Sequence, residues 1–140
     1  MKTLVVAALV LVCAGATTLN VQNNCDDTIH VVRTEGEEQL DYHELSAGDS
    51  YSEDYDGGRA MNFKSGLEGK TLAEFTFDAP EGIDYYGLSV TVGFDVGIRL
   101  QAPNETLTCF DPDCPDAQPP YEDIPHAVET GGEFTLSFCS

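Results

Sequence analysis

Chemistry in this chain would have to come from oxygen. Its 140 residues carry 25 Asp and Glu against six Lys and Arg, with no Trp and only three His. Paired carboxylates can split a glycosidic bond, one as acid and one as base or nucleophile. Carboxylates also bind sugar hydroxyls through charge-assisted hydrogen bonds. Asp111, Asp113 and Asp116 lie close enough in sequence to grip a hard cation, but their loop lacks the Gly and terminal Glu of a calcium-binding EF-hand. His30, His43 and His126 are scattered and show no metal spacing, and no nucleophile-elbow motif is present. No cofactor and no metal are expected. Tyr85-Tyr86 offers a sugar-stacking ring, although neighbours on a strand face opposite sides, so one of the two belongs to a core. Asn104-Glu105-Thr106 is an N-glycosylation sequon following Pro103, in an expected surface loop.

The N-terminus carries a processing pattern. Lys2 is followed by the apolar run Leu4 to Val12 and by Ala14-Gly15-Ala16, which fits the small-x-small cleavage rule. The run is too short for a comfortable membrane span. Residues 1–16 are therefore expected to be a signal peptide and residues 17–140 a single secreted, monomeric domain. Losing Lys2 with the leader makes the mature chain one unit more negative than the −19 of the full chain. That balance excludes nucleic acid as an expected partner and suits a soluble secreted protein.

Cys13 lies in the leader, which leaves Cys25, Cys109, Cys114 and Cys139. An even number in a secreted chain reads as two disulfides with three possible pairings. Cys109 and Cys114 are close enough to staple a local loop, whereas joining Cys25 to Cys139 would clamp the two ends.

The elements that must position these groups are strands. Leu19 to Gln22, Phe75 to Phe77, Leu88 to Val92 and Phe134 to Phe138 alternate apolar with polar residues, and Thr28 to Arg33 and Ile98 to Ala102 also read as strands. Asn23-Asn24, Asp56-Gly57-Gly58, Pro80-Glu81-Gly82 and Gly131-Gly132 break them. No long window has helical periodicity, so an all-β, antiparallel sandwich is expected. Glu35 to Asp56 holds nine acidic residues and no Lys or Arg, and reads as solvated strand edges and loops. The proline-rich stretch Asp111 to Pro125 reads as an irregular loop.

Several stretches, taken in order, resemble one known family. Val21-Gln22-Asn23-Asn24-Cys25 is similar to the V-x-N-x-C opening of thaumatin-like proteins. Thr71-Leu72-Ala73-Glu74-Phe75 matches their TLAEF motif letter for letter. Ile83 to Val96 resembles the family segment with an aromatic pair, an S-L strand and a G-F-N turn. Cys114-Pro115-Asp116-Ala117 with Tyr121-Glu122-Asp123 is similar to its late C-P-x-A loop, and Phe134 to Cys139 to its closing strand.

The resemblance implies the central β-sandwich of that family and a Cys25–Cys139 pairing. The family's cysteine-rich signature, expected between Gly58 and Lys70, is missing, and so is the disulfide-rich second domain. Such small truncated members occur in plants and fungi, and the acidic, Asp-rich loops here suit a fungal source. In larger members an Arg, a Glu and three Asp line a cleft for β-1,3-glucan. Glu74 matches the Glu and Asp116 the late Asp, while the other two Asp positions fall on Gly87 and Val92. Arg59 or Lys64 stands near the Arg position, though a Lys lacks the bidentate fork. Each has a plainer role available: Glu74 as a solvent-facing strand residue, Asp116 as a loop cap, Arg59 and Lys64 as salt partners. With half the carboxylates missing, the resemblance favours a non-catalytic protein of the cell wall or of β-glucan, acting in wall remodelling or defence. The alternatives are a secreted protein-binding module, either an enzyme inhibitor or a ligand of a host surface protein, and a weak endo-β-1,3-glucanase.

Overall fold

The computed structural model describes residues 15–118 and 126–140. The apolar leader run, Cys13, Pro119, Pro120, Tyr121-Glu122-Asp123 and Pro125 lie outside these residues. Strands and turns make up the whole of the described chain, with no helix.

Period-two patterning dictates the layers. Strand β1 (Thr17–Asn23) buries every second residue, from Thr17 through Leu19 and Val21 to Asn23. Strand β12 (Glu133–Phe138) buries Phe134, Leu136 and Phe138. These two strands pair in parallel, Leu19 beside Phe134 and Val21 beside Leu136. The first and last strands of the described chain thus meet in the middle of a five-stranded sheet. Its order is β4 (Ser50–Tyr55), β1, β12, β8 (Ile98–Gln101), β9 (Thr106–Cys109).

The second sheet runs β10 (Ala117–Gln118), β7 (Ile83–Ser89), β6 (Leu72–Ala79), β5 (Ala60–Ser65), β2 (Ile29–Glu35), β3 (Glu38–Leu45). Strand β11 (His126–Glu129) also pairs with β7. The inner faces of the two sheets meet over Phe63, Phe75, Phe77, Phe134 and Phe138. Rings of Phe75, Phe77 and Tyr86 pack edge-on to Phe134 at 5.2–6.0 Å, the preferred aromatic geometry.

The architecture is the expected β-sandwich, with two parallel pairs, β1–β12 and β7–β10, among its antiparallel ladders. Strand β7 stops at Ser89 instead of running on to Val92. Past Ser89 the chain turns, with Gly93 N–H on Val90 O, and Val92 is 66 % exposed. The four-residue strands β9 and β11 carry too few alternating positions to be read in advance, and β5 is a further strand, in which Met61 and Phe63 alternate with Asn62 and Lys64. The acidic segment from Glu35 to Asp56 supplies β3 and β4, which are the edge of one sheet and the edge of the other. Charge on an edge strand keeps it from pairing with another chain. Gly57 and Gly58 both take positive φ in the turn that carries the chain from β4 in one sheet to β5 in the other, a backbone conformation that glycine adopts without strain.

Both disulfides are present. Cys25–Cys139 spans 114 residues and ties the end of β1 to the end of β12, and Cys109–Cys114 closes a loop after β9. Asn23, a breaker by composition, is fully buried and positions the first of these. Its Nδ2 donates to Asp27 O and Leu45 O, and its Oδ1 accepts from Cys25 N–H. The central Asn of V-x-N-x-C is thus the scaffold of the turn that presents the cysteine.

Candidate functional site

Strand β6 is amphipathic, so Ala73 and Phe75 enter the core and Glu74 stands outward, exposed. In register it lies between Asn62 on β5 and Gly87 on β7. Lys64 is two residues along β5 from Asn62 and shares the outward face. Tyr85, two residues before Gly87 and opposite Thr76, is 38 % exposed on that same face, whereas Tyr86 is buried. The outer face of the larger sheet therefore carries a carboxylate, a ring and an ammonium near Gly87, which is itself buried.

The other two cleft candidates lie elsewhere. Asp116 Oδ2 accepts Thr108 N–H at 2.9 Å, which ties the approach to β10 in one sheet to β9 in the other. Arg59 follows the β4–β5 turn and its Nη1 sits 3.3 Å from Glu35 Oε1. Glu74 has no second carboxylate beside it in its ladder row, where its neighbours are Asn62 and Gly87. Asp111 Oδ1 accepts Asp113 N–H, so the Asp111 to Asp116 loop spends two of its three carboxylates on its own backbone or on β9. Among the described residues no three His, Cys, Asp or Glu gather in metal-binding geometry.

Three clusters were invisible as sites in the sequence. At the edge of the sandwich between β3 and β4, Arg33 is nearly buried. Its Nε lies 2.6 Å from Asp41 Oδ2, its Nη1 lies 2.7 Å from Glu35 Oε1, and its guanidinium sits 5.3 Å from the Tyr55 ring centroid. Burial opposes its charge, but the bonds from Asp41 and Glu35 outweigh that and raise its pKa. Tyr55 OH donates to Glu53 Oε2, and burial followed by that carboxylate pushes the phenol up. Tyr51 is likewise raised, mainly by burial, and stacks on His43 at 4.0 Å.

A second cluster surrounds Tyr86. Its hydroxyl lies 2.6 Å from Asn104 Oδ1 and 2.7 Å from Glu105 Oε1, and His126 Nδ1 reaches the same Glu105 oxygen at 2.5 Å. Burial, then the Glu105 contact, raises the Tyr86 phenol. The sequon Asn104 is exposed in the β8–β9 turn, and its Nδ2 donates to Ala127 O.

The third joins two family-like motifs. Fully buried Thr71, the first residue of TLAEF, accepts N–H groups of Asp95 and Val96 on its hydroxyl, while its own N–H donates to Asp95 Oδ1. The G-F-D-V turn is thus bolted to the start of β6. A Thr at the head of one motif and an Asp inside the other are the sequence trace of this lock.

The sandwich topology, the clamped ends and the TLAEF strand define a thaumatin-like fold. Comparison with known proteins agrees. Barley (Hordeum vulgare) pathogenesis-related protein 1A/1B is 32% identical over 87 residues, 59% of this chain and 50% of its own length. The wheat (Triticum aestivum) thaumatin-like protein PWIR2 is 31% identical over 87 residues, again 59% of this chain and 50% of its own. The chain thus spans about half the length of these curated relatives. Among solved structures, the thaumatin-like xylanase inhibitor TLXI superposes with a TM-score of 0.70 at 20% identity, covering 87% of this chain and 99% of the inhibitor. The protein elicitor MoHrip2 from Magnaporthe oryzae gives 0.69 at 20% identity, covering 89% of this chain and 99% of the elicitor. Residues 6–140 match the family described as Bys1, Blastomyces yeast-phase-specific protein, and the chain belongs to that family.

Proposed function

We propose that this is a secreted recognition protein that binds without hydrolysing, and that its partner is another secreted or cell-surface protein. The observation that carries the non-catalytic half is the dispersal of the cleft residues. Glycoside hydrolysis needs two carboxyl groups set across one bond, roughly 5–10 Å apart. Here Glu74 stands outward in a row with Asn62 and Gly87, Asp116 is committed to Thr108 N–H, and Arg59 faces Glu35. The protein-binding half is supported by the fold neighbours, one an inhibitor of xylanase and one an elicitor. It is also supported by edge strand β3, where Leu40 and Tyr42 are 37% and 48% exposed among acidic neighbours. A partner with a basic face fits that surface.

The test is an affinity capture from secreted enzymes and surface proteins, with the mature chain as bait. Tyr42→Ala is expected to weaken a specific complex at least tenfold. Capture of nothing above a charge-matched acidic control would sink the reading.

A second reading has its own observation. Tyr85, Gly87, Glu74 and Lys64 share one outward face, and an exposed ring beside a carboxylate is how proteins hold sugars. Co-sedimentation with insoluble β-1,3-glucan, lost in Glu74→Gln and in Tyr85→Ala, would establish it. Retention in the supernatant at low salt would dismiss it.

A further inference from the structure

The start of β1 lies over two carboxylates that have no cation of their own among the described residues. Asp84 on β7 is fully buried. Its Oδ2 accepts the Thr17 hydroxyl at 2.5 Å, and its Oδ1 accepts Asp78 N–H at 2.7 Å and the Thr130 hydroxyl at 2.9 Å. Thr17 is fully buried too, and its Oγ1 accepts Gly131 N–H. Just upstream, the backbone of Gly15 rests on the other carboxylate. A Cβ placed on Gly15 would meet Asp78 Oδ2 at 3.1 Å and the remaining carboxyl atoms at 3.3 Å. Asp78 Oδ2 is otherwise held by Gly57 N–H at 3.1 Å. Among the described residues, no Lys, Arg or His forms an ion pair with Asp78 or Asp84.

A buried carboxylate is costly unless hydrogen bonds or a counter-charge satisfy it. Hydrogen bonds alone serve Asp84 here. The missing charge is available from the chain itself. Thr18 N–H bonds Gly132 O on the β12 side, so Thr17 N–H points the other way, toward β4, where Thr17 registers with Tyr55. The Thr17 nitrogen is roughly 3 Å from its own hydroxyl oxygen by covalent geometry, and so within about 6 Å of Asp84 Oδ2.

We propose that hydrolysis of the Ala16–Thr17 bond by a signal-peptide-cleaving protease creates an ammonium that pairs with Asp84 and Asp78. One water is consumed. The new carboxylate leaves on Ala16, and the protonated amine stays on Thr17. Departure of Gly15 and Ala16 uncovers Asp78 at the moment the positive charge arises beside it. Processing thereby locks the first strand against β7 and the β6–β7 turn, and it sets the mature N-terminus at Thr17. Ala16 is exposed, whereas Thr17 is wholly buried, so a cut further on would remove a residue of the core.

This rests on the proposed secretion of the chain, and two measurements keep the two ideas apart. First, the full chain is expressed in a eukaryotic secretion host and the N-terminus of the secreted protein is read by mass spectrometry. A start at Thr17 is expected, and a start elsewhere, or no processing, overturns the assigned cut. Second, refolded proteins beginning at Gly15, with its α-amine acetylated so that it brings no charge to Asp78, and at Thr17, with a free α-amine, are melted side by side. The form beginning at Thr17 is expected to melt about 3–6 °C higher, as one well-placed ion pair would give in a chain of this size. Selective acetylation of its α-amine should erase the gain, and Asp78→Asn should halve it or more. Asp84→Asn makes the same point if it folds, but the acetylated protein suffices without it. Equal melting of the two forms, or a gain that survives acetylation, overturns the ion pair whether or not the cell secretes the protein.

Discussion

The seam where β1 meets β12 and the open side where β3 faces β4 are built on opposite principles. The seam is dry. Leu19, Val21, Phe134, Leu136 and Phe138 are wholly buried there, and Cys25–Cys139 closes it. The open side is wet and charged, and its one buried cation, Arg33, is held by Asp41 and Glu35. The seam carries stability and tolerates little change. The acidic edge is expected to contribute less stability, which leaves its residues available for the recognition role proposed above.

Substitutions ranked by effect should expose that contrast. The largest loss is expected from replacing Cys25 and Cys139 together by Ala, about 5 kcal/mol on the chain-entropy account of a 114-residue loop. The same change at Cys109 and Cys114, five residues apart, should cost only about 2 kcal/mol. Denaturant unfolding of the two double variants measures both, and equal losses would break the idea that the seam is the main clamp. Phe134→Ala removes the ring against which Phe75, Phe77 and Tyr86 pack, and should cost about 4 kcal/mol.

Arg33→Met should cost less, about 2 kcal/mol, because its partners remain partly open to water. A cost matching Phe134→Ala would show that the edge is as structural as the seam.

Alkaline titration sharpens the comparison without mutation. Tyr51, Tyr55 and Tyr86 are all raised above the ordinary phenol value by burial and, next, by neighbouring carboxylates. A raised folded pKa contributes stability that is complete below the unfolded value, near 10, and is lost as pH climbs toward the folded value. The fold is therefore expected to hold at neutral pH and weaken above about pH 10. Absorbance at 295 nm should show Tyr51, Tyr55 and Tyr86 ionising above the ordinary phenol range. The smallest effects belong to the exposed face and edge. Glu74→Gln and Tyr42→Ala should each change stability by less than about 0.5 kcal/mol, so that any loss of binding reports recognition alone.

The motifs Val21 to Cys25, Thr71 to Phe75 and Phe134 to Cys139 resembled thaumatin-like proteins, and alternation along the strands announced a sandwich, because period-two patterning and a core face are local properties of a strand. The acidic run from Glu35 to Asp56 was legible as edges for the same reason. The four-residue strands β9 and β11 were not, being short, and β5 was missed although Met61 and Phe63 alternate with polar residues. The candidate site was legible only as residue types. Glu74 pointed outward as alternation requires, but the parting of Asp116 and Arg59 from it depends on which strands lie side by side.

The sequence by itself determined the fold class, the core rings and the number of cysteines available for pairing, all of which follow from composition and spacing along one chain. Only the tertiary structure decided that β1 and β12 are parallel neighbours, that Thr71 and Asp95 bolt two motifs together, and that Thr17 sits on Asp84. Those facts join residues 24, 67 and more than 100 positions apart. No local pattern encodes such distances, because the pairing energy of each exists only once the two sheets have closed on one another.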